Sequence, residues 1–120
     1  MFLTLAHTQL DIYKMSRLLV VECYSVTKNL PGEERFGLTQ QIRRAATSIH
    51  LNIAEGCSRR TVADRKRFFE IARGSLIEVD TGLDIATQLC YLSLEQTQKL
   101  GETIKRTFQM ISKLISASNA

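Results

Sequence analysis

The chain has no tryptophan, one proline and six glycines in 120 residues. A β-rich chain of this length needs frequent turns, and turns draw on glycine and proline, so the shortage of both argues against strands. Cys23, Cys57 and Cys90 are odd in number, widely spaced and free of any C-x-x-C pair. They read as buried thiols in a reducing compartment and not as a disulfide framework. His7 and His50 stand at no ligand-like spacing from them, so neither a metal nor a cofactor is expected. Long apolar runs are missing too. The longest near the start is Leu18-Leu19-Val20-Val21, far short of the roughly 20 residues that span a bilayer. Met1 to Leu10 has no basic region ahead of an apolar stretch and does not read as a signal peptide. The expectation is a cytoplasmic protein with no membrane partner.

Catalytic signatures are absent as well. There is no phosphate-binding glycine loop, no H-E-x-x-H, and no Ser-His-Asp or Cys-His set in a supporting context. Glu55 and Glu78 could form a carboxylate pair, but each is more simply a structural acceptor. No catalytic residue is assigned, and a non-enzymatic role is expected.

What is present is an ordinary globular balance, 44% hydrophobic and 23% charged, suited to one domain over residues 1–120 with one core. Helical periodicity runs through it. Ile12, Met15, Leu19, Cys23 and Val26 recur at steps of three and four and predict a helix over about 10–28, ended by Leu30-Pro31-Gly32. Thr39 can cap a second helix over about 39–55, whose inner face is Ile42, Ala45, Ala46, Ile49 and Ile53, with Gly56 placed as a left-handed cap. Thr61-x-x-Asp64 opens a third over about 61–90, with a heptad seam of Phe69, Ala72, Leu76, Val79, Leu83, Ala86 and Cys90. Ser93-x-x-Gln96 opens a fourth over about 94–117, lined by Ile104, Phe108, Ile111 and Ile115. Short connections favour antiparallel neighbours, so the fold class is all-α, an antiparallel up-down-up-down four-helix bundle.

Three surfaces stand out. Arg43 to Arg73 holds eight basic and three acidic residues, whereas the rest of the chain holds eight and nine. The whole positive excess therefore lies in about a quarter of the chain. Arg59, Arg60, Arg65, Lys66 and Arg67 form its densest part. A charge run is usually a solvated face, but repeated around an oligomer such a patch suits phosphate backbones. Phe68 and Phe69 follow, yet Phe69 belongs to the seam, so an aromatic platform for single strands is not read and structured RNA is the more natural partner. The second surface is a polar stripe beside the apolar face of the second helix: Gln41, Arg44, Ser48, Asn52 and Glu55. Its plain reading is a hydrogen-bonded network between helices or subunits, and its sharper one a ligand site. The third is an outer face of helix three, where Ile71, Ile77 and Ile85 lie beside Gly74. Scattered surface apolars are normal, but a contiguous set marks an oligomer interface, and a mid-helix glycine suits close approach of another backbone.

Several motifs then line up in order: Glu33-Glu34-Arg35-Phe36-Gly37-Leu38, Gln41-Ile42-Arg43-Arg44-Ala45-Ala46, Ser48-Ile49, Asn52-Ile53-Ala54-Glu55-Gly56, and Ala72-x-Gly74-Ser75-Leu76-x-Glu78. From about Leu10 to Ile115 the chain resembles the bacterial 23S rRNA intervening-sequence protein family. The resemblance implies an antiparallel four-helix bundle assembled as a pentamer. It also implies an RNA role, since some members are encoded within large-subunit ribosomal RNA genes. The accessory protein of diversity-generating retroelements is similar in fold and binds nucleic acid and a reverse transcriptase, so a protein partner is the alternative. The family motif carries no catalytic residues. This sequence departs from the common pattern at His50, where proline is frequent, and at Cys90, where glycine is frequent. The resulting expectation is a homo-oligomer that binds RNA or DNA through the basic patch, with an oligomeric scaffold for another protein as the second reading.

Overall fold

A computed structural model describes residues 1–117. Within it the chain forms four helices, α1 (Asp11–Thr27), α2 (Leu38–Ser58), α3 (Val62–Gln88) and α4 (Leu94–Ala117), and no strand among the described residues. A short 3₁₀ turn, Ala6–Gln9, precedes α1, and another, Gly32–Glu34, lies between α1 and α2.

Side-chain pairings fix the topology. Arg43 meets Thr27 near one end of the α1–α2 pair, and His50 meets Ser16 toward the other, so these helices run antiparallel. Between α2 and α3 the partners are Ile42 with Gly82, Ser48 with Ser75, and Phe69 with Gly56, again in opposite order. Leu76 and Ile104 border one groove between α3 and α4, and Phe69 and Leu114 another. The α1–α4 contact, through Glu22 and Thr103, closes the ring. This is the up-down-up-down bundle that the periodicity predicts.

The core is aliphatic. Leu19, Cys23, Ala46, Ile49, Ile53, Ala72, Val79, Ala86 and Ile111 are completely buried, with Ile42, Leu76 and Leu100 at 1% exposure. Burial, helped by the neighbouring Glu22 carboxylate, pushes the Cys23 thiol up to about 12, which leaves it protonated and unreactive. His50 packs against the Tyr13 ring at 4.5 Å. Burial, and then the Arg17 charge, lower its pKa below the usual histidine value. Its Nδ1 lies 2.7 Å from Ser16 Oγ. Ser16 is fully buried and His50 half-buried, so the pair is a satisfied contact between α1 and α2.

The helix ends depart from the expected boundaries because of contacts made outside each helix. Thr39 is buried inside the first turn of α2. The side-chain oxygen at that end comes from Glu34, whose Oε1 accepts from the Leu38 N–H at 3.2 Å while Oε2 accepts from Tyr91 O–H. Glu34 thus ties the α1–α2 connection to the one between α3 and α4. Gly56 is no left-handed cap: α2 continues to Ser58, and no glycine among the described residues has positive φ. It is small because a Cβ there would lie 2.7 Å from Phe69 Cε1. Both predicted capping motifs form. Thr61 Oγ1 accepts from Asp64 N–H, and Ser93 and Gln96 exchange hydrogen bonds in both directions.

Two seam positions fall outside the core. Phe108 is 41% exposed, on the margin between α3 and α4. Cys90 is exposed, because α3 stops at Gln88 and Cys90 adopts φ 63°. Tyr91 N–H bonds Ala86 O, and Cys90 N–H bonds Thr87 O, the paired bonds of a Schellman ending. Of the three cysteines only Cys23 is therefore a buried thiol; Cys57 is half-buried. A left-handed backbone costs a non-glycine residue about 1–2 kcal/mol. Part of that is offset by the extra unfolded-state entropy of glycine. Cys90→Gly should therefore stabilise the chain by about 0.5–1 kcal/mol in chemical denaturation. Gly82→Ala should do the reverse, because its Cβ would lie 2.7 Å from Ile42 Cγ1.

Candidate nucleic-acid interface

The five basic candidates sit where α2 hands over to α3. α2 ends at Ser58, Arg59 and Arg60 form the connection, Thr61 caps α3, and Arg65, Lys66 and Arg67 occupy its first two turns. A connection this short brings residues from both helices to one end of the bundle. All five are solvent-accessible, with only Lys66 half-buried.

Their surroundings divide them. Arg65 is structural: its Nε donates to Arg59 O at 2.9 Å and Nη2 to Cys57 O at 3.3 Å. These carbonyls belong to the last turn of α2 and its cap, where a cation also answers the helix dipole. Arg59 Nη2 pairs with Glu55 Oε1 at 2.9 Å. The guanidinium carbons of Arg59 and Arg67 lie 4.9 and 4.8 Å from the Phe68 ring centroid, within cation–π range. Lys66 Nζ stands 3.8 Å from Glu70. Arg60 is exposed and has no hydrogen bond or ion pair among the described residues. Surface pairs of this exposure contribute little, about 0–1 kcal/mol, so the Arg59–Glu55 pair can give way to another anion.

Phe68 is what the sequence left unassigned. It is half-buried and gathers arginines from both sides of the turn. The signal was its place beside a core phenylalanine and within reach of Arg59, but two adjacent aromatics on a helix do not reveal which one turns outward.

The polar stripe also divides. Ser48 Oγ lies 3.0 Å from Ser75 Oγ across the α2–α3 seam. Asn52 Nδ2 donates to Ser48 O and Ser48 Oγ at 2.8 and 3.1 Å. These half-buried residues form the interhelical network. Gln41, Arg44 and Glu55 are exposed. Arg44 borders a shallow depression with Tyr24, Leu51 and Asn52, and Gln41 borders a groove with Glu78 and Ile85. On the outer face of α3, Ile71, Ile77 and Ile85 are 45%, 53% and 45% exposed. Gly74 faces open space, with nothing within 4 Å of where its Cβ would stand. No group of three or more His, Cys, Asp or Glu side chains among the described residues is arranged to hold a metal, and no described helix is long and apolar enough to cross a membrane.

These roles separate experimentally. Arg65→Ala should cost about 1 kcal/mol in denaturant unfolding, because it strips a charged donor from carbonyls at the α2 terminus. Arg60→Ala should leave stability unchanged within about 0.5 kcal/mol.

Comparison with known proteins agrees with this architecture. The chain resembles a solved structure from Bacteroides thetaiotaomicron, a protein of unknown function from a ribosomal protein family. The TM-score is 0.80 at 23% identity, over 87% of this chain and 97% of that one. That likeness shows the fold alone. No curated protein matches. The family model of the 23S rRNA-intervening sequence protein matches residues 8–113, which take in α1 to α3 and most of α4, and the chain belongs to that family.

Proposed function

We propose that the chain is a non-enzymatic, cytoplasmic homo-oligomer that binds structured RNA, such as ribosomal RNA, through the basic end of the bundle. The observation that carries this reading is the concentration of Arg59, Arg60, Lys66 and Arg67 around one turn, all of them solvent-accessible. Family membership supports RNA as the partner over other polyanions. Phosphate contacts by such side chains release counterions and give affinity without reading sequence.

Oligomerisation supplies the rest. The exposed isoleucines of α3 with Gly74 make an apolar face that a second copy can cover. Burial there would bring Gln41 and Glu78 into the contact and repeat the basic turn around an axis. A pentamer is the assembly that the family resemblance implies. Light scattering at micromolar concentration should give a multiple of the 13.6 kDa chain mass. A monomer would overturn the assembly reading.

A second reading, a scaffold for another protein, draws on the apolar groove between α3 and α4 lined by Leu76, Ile77, Ile104 and Phe108. One experiment separates the two. The variant Arg59→Glu/Arg60→Glu/Arg67→Glu spares Arg65, and with it the α2 terminus. Once shown to be folded and to assemble like the parent, it should lose at least tenfold in affinity for structured RNA at low salt. The parent's affinity should fall steeply as salt rises, with a log–log slope of roughly 0.7–0.9 per phosphate neutralised. Equal binding by parent and variant would leave the scaffold reading.

A further inference from the structure

We propose that the groove beside Phe68 receives one unpaired guanine base of the bound RNA, and that in the free chain Arg59, at its edge, engages the Phe68 ring and the Glu55 carboxylate that the base would use. The proposal rests on the RNA-binding reading above and adds to it a base preference that phosphate contacts cannot supply.

The groove is an open depression of about 500 Å³ between the N-terminal segment, the last turns of α2 and the start of α3. Leu5, Leu51 and Phe68 supply apolar walls; His7, Asn52, Glu55 and Ser58 supply polar groups. It adjoins the connection carrying Arg59 and Arg60, so a base seated in it leaves its phosphate beside two arginines. Apolar walls with a few polar groups able to fix orientation are what a small planar ligand needs.

Arg59 indicates which ligand. Its guanidinium lies over the Phe68 ring, 4.9 Å from the centroid, and donates to Glu55 Oε1 at 2.9 Å. A planar N–C–N donor group is thus held by an aromatic ring and a carboxylate together. The Watson–Crick edge of guanine presents the same arrangement, N1–H and N2–H side by side on a planar N–C–N unit. Adenine and cytosine each place an acceptor at the central position of that edge, and uracil flanks its one donor with two acceptors. Of the four, only guanine offers a carboxylate two adjacent donors.

The exchange conserves contacts. The Arg59–Glu55 pair is exposed, with side chains 42% and 49% accessible, and contributes little by itself. When a phosphate draws Arg59 away, a ring face and the Glu55 carboxylate are vacated together. The base then stacks on that ring face and donates to both oxygens of the Glu55 carboxylate, of which the guanidinium uses only Oε1. Unpaired bases of RNA are commonly held by such stacking combined with hydrogen bonds to the Watson–Crick edge.

The test uses the assembled full-length chain and four RNA hairpins that differ only in one unpaired loop base, G, A, C or U, titrated by fluorescence anisotropy at fixed low salt. The G hairpin should bind about tenfold more tightly than the others. Glu55→Gln, checked for unchanged folding, should abolish that preference, so that the G hairpin binds no more tightly than the other three. Phe68→Leu should weaken the G hairpin most. Equal binding of all four by the parent would overturn the guanine site and leave the RNA reading standing. Failure to bind any hairpin would overturn both. A preference for another base, or a guanine preference that survives Glu55→Gln, would overturn the assignment to this groove.

Discussion

The close approach of α2 to α3 is the contact on which the rest of the molecule depends. It is built by subtraction. Gly56 and Gly82 leave out side chains that would strike Phe69 and Ile42. Ala45, Ala46, Ala72 and Ala86 bury short side chains, and Ser48 meets Ser75 at hydrogen-bond distance. Small residues let two backbones come near, and dispersion then accumulates over a long seam. The same seam forces a short connection, so Arg59 and Arg60 cannot be spread along a flexible loop. They are delivered, together with the start of α3, to one end of the bundle.

That delivery gives the charges their different duties. Arg65 turns back onto the end of α2 and satisfies carbonyls that the helix leaves open. Arg59 spans Glu55 and Phe68, while Arg60 remains accessible. A basic run in sequence is thus a capping residue, a residue engaged at a groove and an accessible cation in space. Replacing all of them at once would confuse folding with binding.

Much of the fold was legible because its determinants are local. Steps of three and four placed all four helices, and Thr61 and Ser93 gave the starts of α3 and α4 through bonds that span three residues. The misses have the opposite character. Thr39 looked like a cap, but Glu34 supplies the side-chain oxygen at that helix end while also binding Tyr91, 57 residues away. Gly56 looked like a cap glycine, but its constraint comes from Phe69 on the next helix. Cys90 fitted the heptad count, whereas the helix had already ended in a conformation that glycine adopts more readily. In the candidate site, the clustering of positive charge could be read from the chain. The division of labour within it could not, nor could the outward turn of Phe68, since both depend on contacts between α2 and α3.

RNA is proposed to meet this protein at the α2–α3 turn. Ultraviolet cross-linking of the native oligomer to RNA that co-purifies with it, followed by mass-spectrometric mapping of the cross-linked peptides, tests this most directly. The account predicts cross-links concentrated in the segment from Glu55 to Phe68, with the outer face of α3 and the α3–α4 groove unmarked. Cross-links confined to α4 and to α3 beyond Phe69, or the recovery of a protein partner with no RNA, would contradict it.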